Sequence, residues 1–490
     1  MSDRELTAGE RRVLGEAPSG ELVDLSVLSD DERVVSPDII RRLCVGSEAT
    51  SVDPRGIRVK GARLLKLLDL SFCTVPHPLR FTTMTFATTP DLSQAHLPAL
   101  SIDDCSLPGL LAEGITLAHD LHLISSEVRG EVRLIGAKIG GEFDCSGATL
   151  SNRGGAALFA DRAEIGGSVF LGDGFTATGA VRLLGTKIGG QLAFFGATLT
   201  NEYDDALTAD GAEIGRDVYL RDGFSATGAV SLSSAKIGGQ LGCVNATFTH
   251  GTGFALRARD AAIGGALVFR DVRVTGGVDL FRASATTLDD DLGSGESALG
   301  SWRGVSPLVL EGFAYVRFEH HAEWSSKLRQ RWLKQTVDFQ QGAWQQLIAV
   351  YRSQGRDDEA TRAAIALQND RLRRSGLSWY RRAGRRALWA VVGHGYRPWL
   401  AGIWAAAIVA AFAAVVANWS GMFVPESQDV RPPQPLAYAA DTFLPIVDLG
   451  QANEWMPTGW VRWVEWSVIL LGWGLSTIFV AGFTRIVRNE

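Results

Sequence analysis

Cysteine is scarce in this chain. Five cysteines are spread over 490 residues, and no two of them form a CxxC pair. This spacing argues against a disulfide framework and a dithiol redox motif, and it is typical of reduced thiols in a cytosolic compartment. The first residues, MSDRELTAGERR, are charged and include no apolar core, so the sequence predicts no signal peptide.

The chain also lacks a strong excess of one charge and the common motifs of cofactor and metal sites. Its net charge of −6 argues against a nucleic-acid-binding protein. GxGxxG, GxxxxGK[ST] and HExxH strings are missing. His119 and His122 have HxxH spacing, but no third ligand is expected beside them. We therefore expect no catalytic residue, no cofactor and no metal site.

What the chain does contain is a 49-residue unit, repeated almost in full. Residues 174–222 begin GFTATGAVRLLGTKIGG, and residues 223–271 begin GFSATGAVSLSSAKIGG. A fixed period of this length indicates units that stack and bury their apolar faces against their neighbours. An isoleucine followed by glycine recurs at alternating spacings of 26 and 23 residues, at Ile139, Ile165, Ile188, Ile214, Ile237 and Ile263.

Each unit is expected to hold two coils. Alternation such as Leu192–Phe194 indicates strands of two to four residues, and the double glycines suit tight turns. The sequence therefore predicts a mainly β protein with a parallel β-helix of the pentapeptide-repeat type, right-handed by default. Cys145, Phe194 and Cys243 lie 49 residues apart and are expected to stack in one interior column, in a structural role.

Composition and hydrophobic pattern change several times along the chain, and these changes predict five regions. The acidic run Asp289–Asp291 falls in the exit loop and is expected to be solvated. The regions are an N-terminal helical cap (1–54), the β-solenoid (55–285), an exit loop and strand (286–318), a helical hairpin with an arginine-rich segment (319–397) and a membrane hairpin (398–490).

Two apolar stretches near the C-terminus are long enough to cross a membrane as helices. Residues 399–419 are 21 uncharged residues, and residues 466–483 form a second run of 18. A helix of 21 residues is about 30 Å long, which is the thickness of a bilayer core. Tryptophans at the ends of both runs favour anchoring at the membrane interface.

Basic residues predict the orientation of these spans. The loop between them, 420–462, holds only Arg431 and Arg462, whereas arginines are dense before the first span. The positive-inside rule therefore places both termini in the cytoplasm and this loop outside the plasma membrane. The arginines expected to contact anionic lipid headgroups are Arg381, Arg382, Arg385, Arg386 and Arg397.

The segment AYAADTFLPIVDLGQ (437–451) is too apolar for an ordinary exposed loop and predicts a short re-entrant helix. Span, short helix and span is the outline of a channel subunit, although the TVGYG string of potassium filters is missing. Asp441, Asp448 and Gly450 are the candidate functional residues of this hairpin. The spans are also the expected surface of a homo-oligomer.

The motifs of the chain resemble those of a family of uncharacterised actinobacterial membrane proteins. The matching strings are LTAGERRV, the repeated AxIGGxLxxxGATL coils, RWLKQ, QQLIAVYRSQGRDDEA, GHGYRPW and DTFLPIVDLGQ. Members are often labelled membrane-associated oxidoreductases, which is the activity that the resemblance implies. The domain order also resembles pentapeptide-repeat proteins joined to a two-span channel module.

These observations predict a cytoplasmic β-solenoid tethered to the membrane, which acts as a scaffold or binding module. Its protein partner would bind on the solenoid or on the helical hairpin. The alternatives are a channel-like or sensory protein gated by the solenoid, which liposome ion flux distinguishes, and a membrane-associated oxidoreductase, which rests on the family label.

The register of the isoleucines yields a first prediction. Ile214 should bury most of its side chain, and this burial stabilises the fold by roughly 1.5–3 kcal/mol. Ile214→Asp should unfold the stack, because it places an unpaired carboxylate inside the coil. Limited proteolysis checks this prediction, and an unchanged protease-resistant fragment in the variant would contradict the register.

Overall fold

The computed structural model describes residues 6–293, 299–319, 324–374, 399–425, 434–444, 449–450 and 453–487. Two units are present, Met1–Ala360 and Thr361–Glu490. Asp448 and the five arginines predicted to contact lipid (Arg381, Arg382, Arg385, Arg386 and Arg397) lie outside the described residues.

Short strands make up most of the first unit. In chain order they are β1 (Val23–Asp24), β2 (Ile57–Lys60), β3 (Arg63–Leu64), β4 (Leu79–Thr82), β5 (Thr85–Phe86), β6 (His96–Leu97), β7 (Leu100–Asp103), β8 (Ser106–Leu107), β9 (Leu110–Leu111), β10 (Thr116–Leu117), β11 (Leu121–His122), β12 (Glu127–Val128), β13 (Val132–Arg133), β14 (Lys138–Ile139), β15 (Phe143–Asp144), β16 (Thr149–Phe159), β17 (Glu164–Ile165), β18 (Val169–Phe170), β19 (Thr176–Arg182), β20 (Lys187–Ile188), β21 (Leu192–Phe195), β22 (Thr198–Thr208), β23 (Glu213–Ile214), β24 (Val218–Arg221), β25 (Ser225–Ser231), β26 (Lys236–Ile237), β27 (Leu241–Val244), β28 (Thr247–Arg257), β29 (Ala262–Arg270), β30 (Arg273–Asp279), β31 (Ser284–Asp290), β32 (Leu308–Val309) and β33 (Ala314–Phe318).

The helices lie at the two ends of this strand series and in the second unit. They are α1 (Ala8–Glu16), α2 (Pro37–Val45), α3 (Ser326–Leu333), α4 (Gln341–Ser353), α5 (Asp357–Arg374), α6 (Trp399–Asn418), α7 (Pro435–Phe443) and α8 (Trp460–Val487), with 3-10 turns at Ser47–Ser51, Gly300–Trp302 and Ser420–Met422.

The strands form a parallel β-solenoid of about ten turns, as the repeats predicted. Its two sheets have 20 and 13 strands, and each strand pairs in parallel with strands of the neighbouring coils. One interior column shows the register. Its members are Ile57, Leu79, Leu100, Leu121, Phe143, Val169, Leu192, Val218, Leu241, Leu267, Leu288 and Phe318.

The spacing along this column explains the alternation of 26 and 23 residues. Coils up to Phe143 are regular, at 21 or 22 residues each, and the alternation runs from Phe143 to Leu267. The extra residues of each longer coil lie in a bulge of the strands β16, β22 and β28, for example between Ser151 and Ala156. These strands have 11 residues each, so the expectation of two to four residues was wrong for them.

The solenoid continues past the predicted exit at residue 285. Strand β31 pairs with β29, and β33 pairs with β31 as far as Phe318. Asp290 and Asp289 of the acidic run are buried rather than solvated. The expectation of a solvated loop was wrong because it rested on the hydrophilicity of the run. Its buried residues have polar partners elsewhere in the sequence. The indole N–H of Trp302, for instance, donates to Asp290 Oδ2 at 2.9 Å.

The N-terminal residues close the first coil. Helix α1 begins with a capping box, in which the Glu10 N–H donates to Thr7 Oγ1 at 3.1 Å and the Thr7 N–H donates to Glu10 Oε2 at 2.8 Å. Strand β1 already belongs to the solenoid, since Val23 pairs with Val59. Helix α2 covers the apolar end with Ile39, Ile40, Leu43 and Cys44, all of which are buried.

A buried ion pair holds the helices at the C-terminal end of the solenoid. Arg329 of α3 donates from Nη1 and Nη2 to the two carboxylate oxygens of Asp290, at 2.7 and 2.8 Å, and both side chains are 0% exposed. Trp302 Nε1 donates to the same carboxylate at 2.9 Å. The guanidinium also lies 4.0 Å from the centre of the Phe318 ring. The last two coils and α3 therefore share one polar anchor in an apolar setting.

The second unit contains the apolar helices. Helix α7 packs between α6 and α8 through a buried cluster that includes Phe412, Val416, Tyr438, Phe443 and Val461. Two short strands, β34 (Phe423–Pro425) and β35 (Trp455–Pro457), pair in antiparallel fashion beside it. Tyr438 Oη donates to Glu465 Oε1 at 2.6 Å.

One helix of the described residues, at Leu400–Asn418, is long and apolar enough to cross a membrane, and only 22% of it is buried. The second predicted span falls within the 28 residues of α8. The side chains of residues 478–479 and 481–487 lie outside the described residues, so this span stays a prediction. Part of its surface is open, because Leu470 is 74% and Trp473 59% exposed.

The Arg329–Asp290 pair yields a prediction about stability. Arg329→Met should lower the free energy of unfolding by about 3–5 kcal/mol, because it leaves the Asp290 carboxylate buried without its cation. Adding Asp290→Asn should restore part of the loss. Urea unfolding of the full chain in detergent, followed by tryptophan fluorescence, measures this effect. Exposed Arg331 on the same helix supplies the control variant Arg331→Met, and equal losses in both variants would contradict the anchoring role.

Candidate functional site

An open groove runs along one edge of the solenoid, across the coils that carry the isoleucine–glycine repeat. Its volume is about 1060 Å³. Five coils contribute the same three consecutive positions, a charged residue, an isoleucine and a glycine, and the sixth contributes Ala262, Ile263 and Gly264. The isoleucines point inward and are 2–4% exposed, whereas the charged residues and glycines face outward. At the usual spacing of parallel strands, six coils give a groove about 24 Å long.

Glycine forms the floor because neighbouring coils approach too closely for a side chain. A Cβ atom at Gly189 would lie 2.2 Å from the carbonyl oxygen of Gly166, and one at Gly215 would lie 2.3 Å from that of Gly189. These distances are far below van der Waals contact. The floor is therefore bare backbone along Gly140, Gly166, Gly189, Gly215, Gly238 and Gly264.

A ladder of alternating charge forms the wall of the groove. Lysine and glutamate pair in register from coil to coil, in the order Lys138, Glu164, Lys187, Glu213 and Lys236. Lys187 Nζ lies 3.5 Å from Glu164 Oε1, and Lys236 Nζ lies 2.8 Å from Glu213 Oε1. The hydrogen bond from Lys236 lowers the pKa of Glu213, and the same bond raises the pKa of Lys236. Both shifts favour the charged forms of Glu213 and Lys236.

This arrangement is suited to holding a ligand rather than to chemistry. The groove presents no thiol or imidazole, and its one hydroxyl-bearing residue, Ser284, lies at the end. In the part of the chain that the structure describes, no group of three or more His, Cys, Asp or Glu residues could hold a metal ion. A long, bare and nearly neutral strip therefore offers shape and periodic charge as its means of recognition.

Phe194 and Cys243 lie in one interior column, as the repeat predicted, and Cys145 is also buried. Phe194 pairs with Leu220, Leu220 with Cys243 and Cys243 with Phe269, and all four are buried in one column. Leucines of the intervening coils separate the predicted members, because the 49-residue unit is two coils. All five cysteines of the chain are buried and free. Burial raises the pKa of the Cys243 thiol to about 12, so it is a poor nucleophile near neutral pH.

Two of the three predicted hairpin residues lie in the described part of the second unit. The Leu449 N–H donates to Asp441 Oδ1 at 2.6 Å, which ties the end of α7 to the segment that follows. Gly450 adopts φ of 75°, a conformation that favours glycine. Asp448 lies outside the described residues, so the structure does not bring the three together, and their functional role stays a prediction.

The groove itself was missed in the sequence, where the glycines were interpreted as turn formers. The signal was present in the alternation of lysine and glutamate before each isoleucine, which becomes a ladder once the register is known. Comparison with known proteins adds no family to this description: no protein family, no curated protein and no solved structure matches the chain.

Proposed function

We propose that this protein is a membrane-tethered binding module whose solenoid holds an extended polypeptide in the glycine-floored groove. The continuous bare floor carries this proposal, because it lets another backbone approach closely over the six coils. The scaffold role predicted from the repeats thereby gains a specific surface.

The period of the charged wall suggests the conformation of the ligand. Like charges recur every second coil, which corresponds to about 9.6 Å along the solenoid. A polyproline II helix advances about 9.3 Å every three residues. A segment in this conformation would therefore present every third side chain to the same kind of charge, and about eight of its residues would fill the groove.

The composition of the wall suggests the charge of the ligand. Three lysines, Lys138, Lys187 and Lys236, alternate with two glutamates. A segment with an acidic residue at every third position would meet the three lysines, while small residues between them lie on the glycine floor. We therefore propose an acidic, proline-rich segment of a partner protein as the occupant.

This proposal predicts a difference between two synthetic peptides. A peptide of Pro-Pro-Glu repeats should bind the full chain in detergent, and a peptide of Pro-Pro-Lys repeats should bind more weakly. Replacing Lys187 and Lys236 together by glutamine should weaken the acidic peptide roughly tenfold at low salt, because its carboxylates lose their partners. Isothermal titration calorimetry measures both effects.

The control is Lys66→Gln, which removes an exposed lysine outside the groove. Equal binding of the two peptides would contradict the proposal, as would the same affinity in the double variant and the control. If neither peptide binds but the chain self-associates through this edge, and the double variant abolishes the association, then a second copy is the occupant and the peptide proposal fails.

We further propose that the second unit anchors the solenoid to the inner face of the plasma membrane through two spans, α6 and α8, with both termini in the cytoplasm. The exposed apolar side chains of both helices support this, since Ile403 is 55% and Leu470 74% exposed. The arginine-rich segment before α6 would then contact anionic headgroups, and the spans would be the surface of any homo-oligomer.

The buried cysteines allow a clean test of this topology, because the native thiols should not react with maleimide. Ser420→Cys, in the exposed turn after α6, should be labelled by a membrane-impermeant maleimide on intact cells. Lys236→Cys, on the solenoid wall, should be labelled only after permeabilisation. Labelling of both variants on intact cells, or of neither, would contradict the orientation.

We also propose membership of the actinobacterial membrane-protein family whose motifs the chain resembles. Two of these motifs contribute buried residues at the end of the solenoid: Trp332 and Leu333 belong to RWLKQ, and Leu347 and Tyr351 belong to QQLIAVYRSQGRDDEA.

The packing of α7 between α6 and α8 favours the channel-like alternative within the second unit.

A further inference from the structure

A second cleft lies on the outer surface of the first coils of the solenoid, well before the groove in sequence. Its volume is about 330 Å³, which suits a small molecule. Its lining is rich in basic side chains: Arg55, Arg58, Arg80 and His122, together with Asp120. The remaining lining residues are Pro78, Leu79, Ala99, Leu100 and Ser101.

The hollow forms because one coil carries two small outward residues, Ser101 and Ala99, where the neighbouring coils carry larger ones. Arg58 pairs with Arg80, Arg80 with Ser101, and Ser101 with His122, so these four residues stack on successive coils. The short side chain of Ser101 leaves a gap between the Arg80 guanidinium on the preceding coil and the His122 imidazole on the following coil. Ala99, beside Ser101 on the same coil, widens the gap.

The positive charge of this column is not neutralised within the described residues. Arg58 and Arg80 lie on adjacent coils, about 5 Å apart along the solenoid, and like charges directly opposite each other destabilise a sheet. Neither guanidinium has an ion-pair partner in the described part of the chain, whereas Arg55 pairs with Asp53 at 3.1 Å. An anion bound between the two guanidinium groups would offset this repulsion.

We propose that this cleft binds a phosphate monoester that carries hydroxyl groups, such as a polyol phosphate. The guanidinium groups of Arg58 and Arg80 would hold the phosphate, for which their planar donor pairs are suited. The site is independent of the peptide groove, which begins at Leu117 and includes none of these residues.

The acidic residue of the cleft favours an ester over inorganic phosphate. Asp120 lies two coils after Arg80, and its Oδ1 accepts a hydrogen bond from the Glu142 N–H at 2.9 Å. A carboxylate repels a phosphate but accepts hydrogen bonds from hydroxyls. His122, in register with Ser101 and next to Asp144 on the following coil, supplies a further donor. The ligand should therefore present phosphate at one end and hydroxyls at the other.

Titration of the full chain in detergent with glycerol 3-phosphate tests the proposal. We expect saturable binding, weaker binding of inorganic phosphate, and a loss of roughly tenfold or more in Arg80→Gln and in Arg58→Gln, because each removes a charge-assisted contact. Ala99→Phe should abolish binding by filling the hollow. Arg273→Gln removes an exposed arginine on the other sheet and should leave the affinity unchanged.

Stability of the ligand-free protein separates a binding role from a structural one. Arg80→Gln should unfold at the same or a higher urea concentration than the native chain, because it removes a like-charge contact. Destabilisation by Arg80→Gln, no binding of glycerol 3-phosphate to the native chain, or equal binding to Arg80→Gln and Arg273→Gln would each overturn the proposal.

The same phosphate chemistry occurs in free metabolites and in lipid headgroups. A soluble short-chain lysophosphatidic acid keeps the phosphate and one of the two hydroxyls of glycerol 3-phosphate and carries an acyl chain on the other. Tighter binding of the lipid than of glycerol 3-phosphate, lost in Arg80→Gln, would identify a headgroup site. Equal or weaker binding of the lipid would identify a site for the free ester.

Discussion

A single coil of the solenoid cannot bury its apolar side chains by itself and depends on the coils above and below it. Every inward position must therefore match the corresponding positions of its neighbours, and the interior columns run without a break from Ile57 to Phe318. The same constraint leaves the two end coils with an open apolar face. Helix α2 covers one end, and the other end is covered by α3 and by Trp302, with Asp290 and Arg329 as the polar link between them.

A buried ion pair contributes little net stability, because the desolvation of both charged groups offsets their attraction. What it supplies here is position: two parallel hydrogen bonds allow one orientation of the guanidinium, whereas an apolar contact would allow several. Asp290 belongs to the last long strand of the solenoid, so the pair sets α3 in register with the coils.

The inward side chains of the coils form the core, so only the outward side chains can contact a ligand. The central coils carry glycine beside a lysine–glutamate ladder, and the ladder nearly neutralises itself through ion pairs along the axis. The first coils instead carry arginines in register without carboxylate partners among the described residues. The same coil geometry therefore presents two different surfaces. The groove of the central coils is nearly neutral and has a bare backbone floor, whereas the cleft of the first coils is cationic and hollow.

Much of this protein can be derived from its sequence. The repeat determined the solenoid and its parallel coils, and the spacing of Ile139 to Ile263 determined the register, because a stack requires like residues at like positions. The uncharged run 399–419 was recognisable for a similar reason, because composition alone decides whether a helix can be surrounded by apolar solvent. Tertiary structure decided the rest. The burial of Asp290, the bare floor along Gly189 and Gly215, and the arginine pair at Arg58 and Arg80 depend on contacts between residues 12 or more positions apart. Local pattern carries no information about which distant side chain, carbonyl or guanidinium will lie beside a given residue.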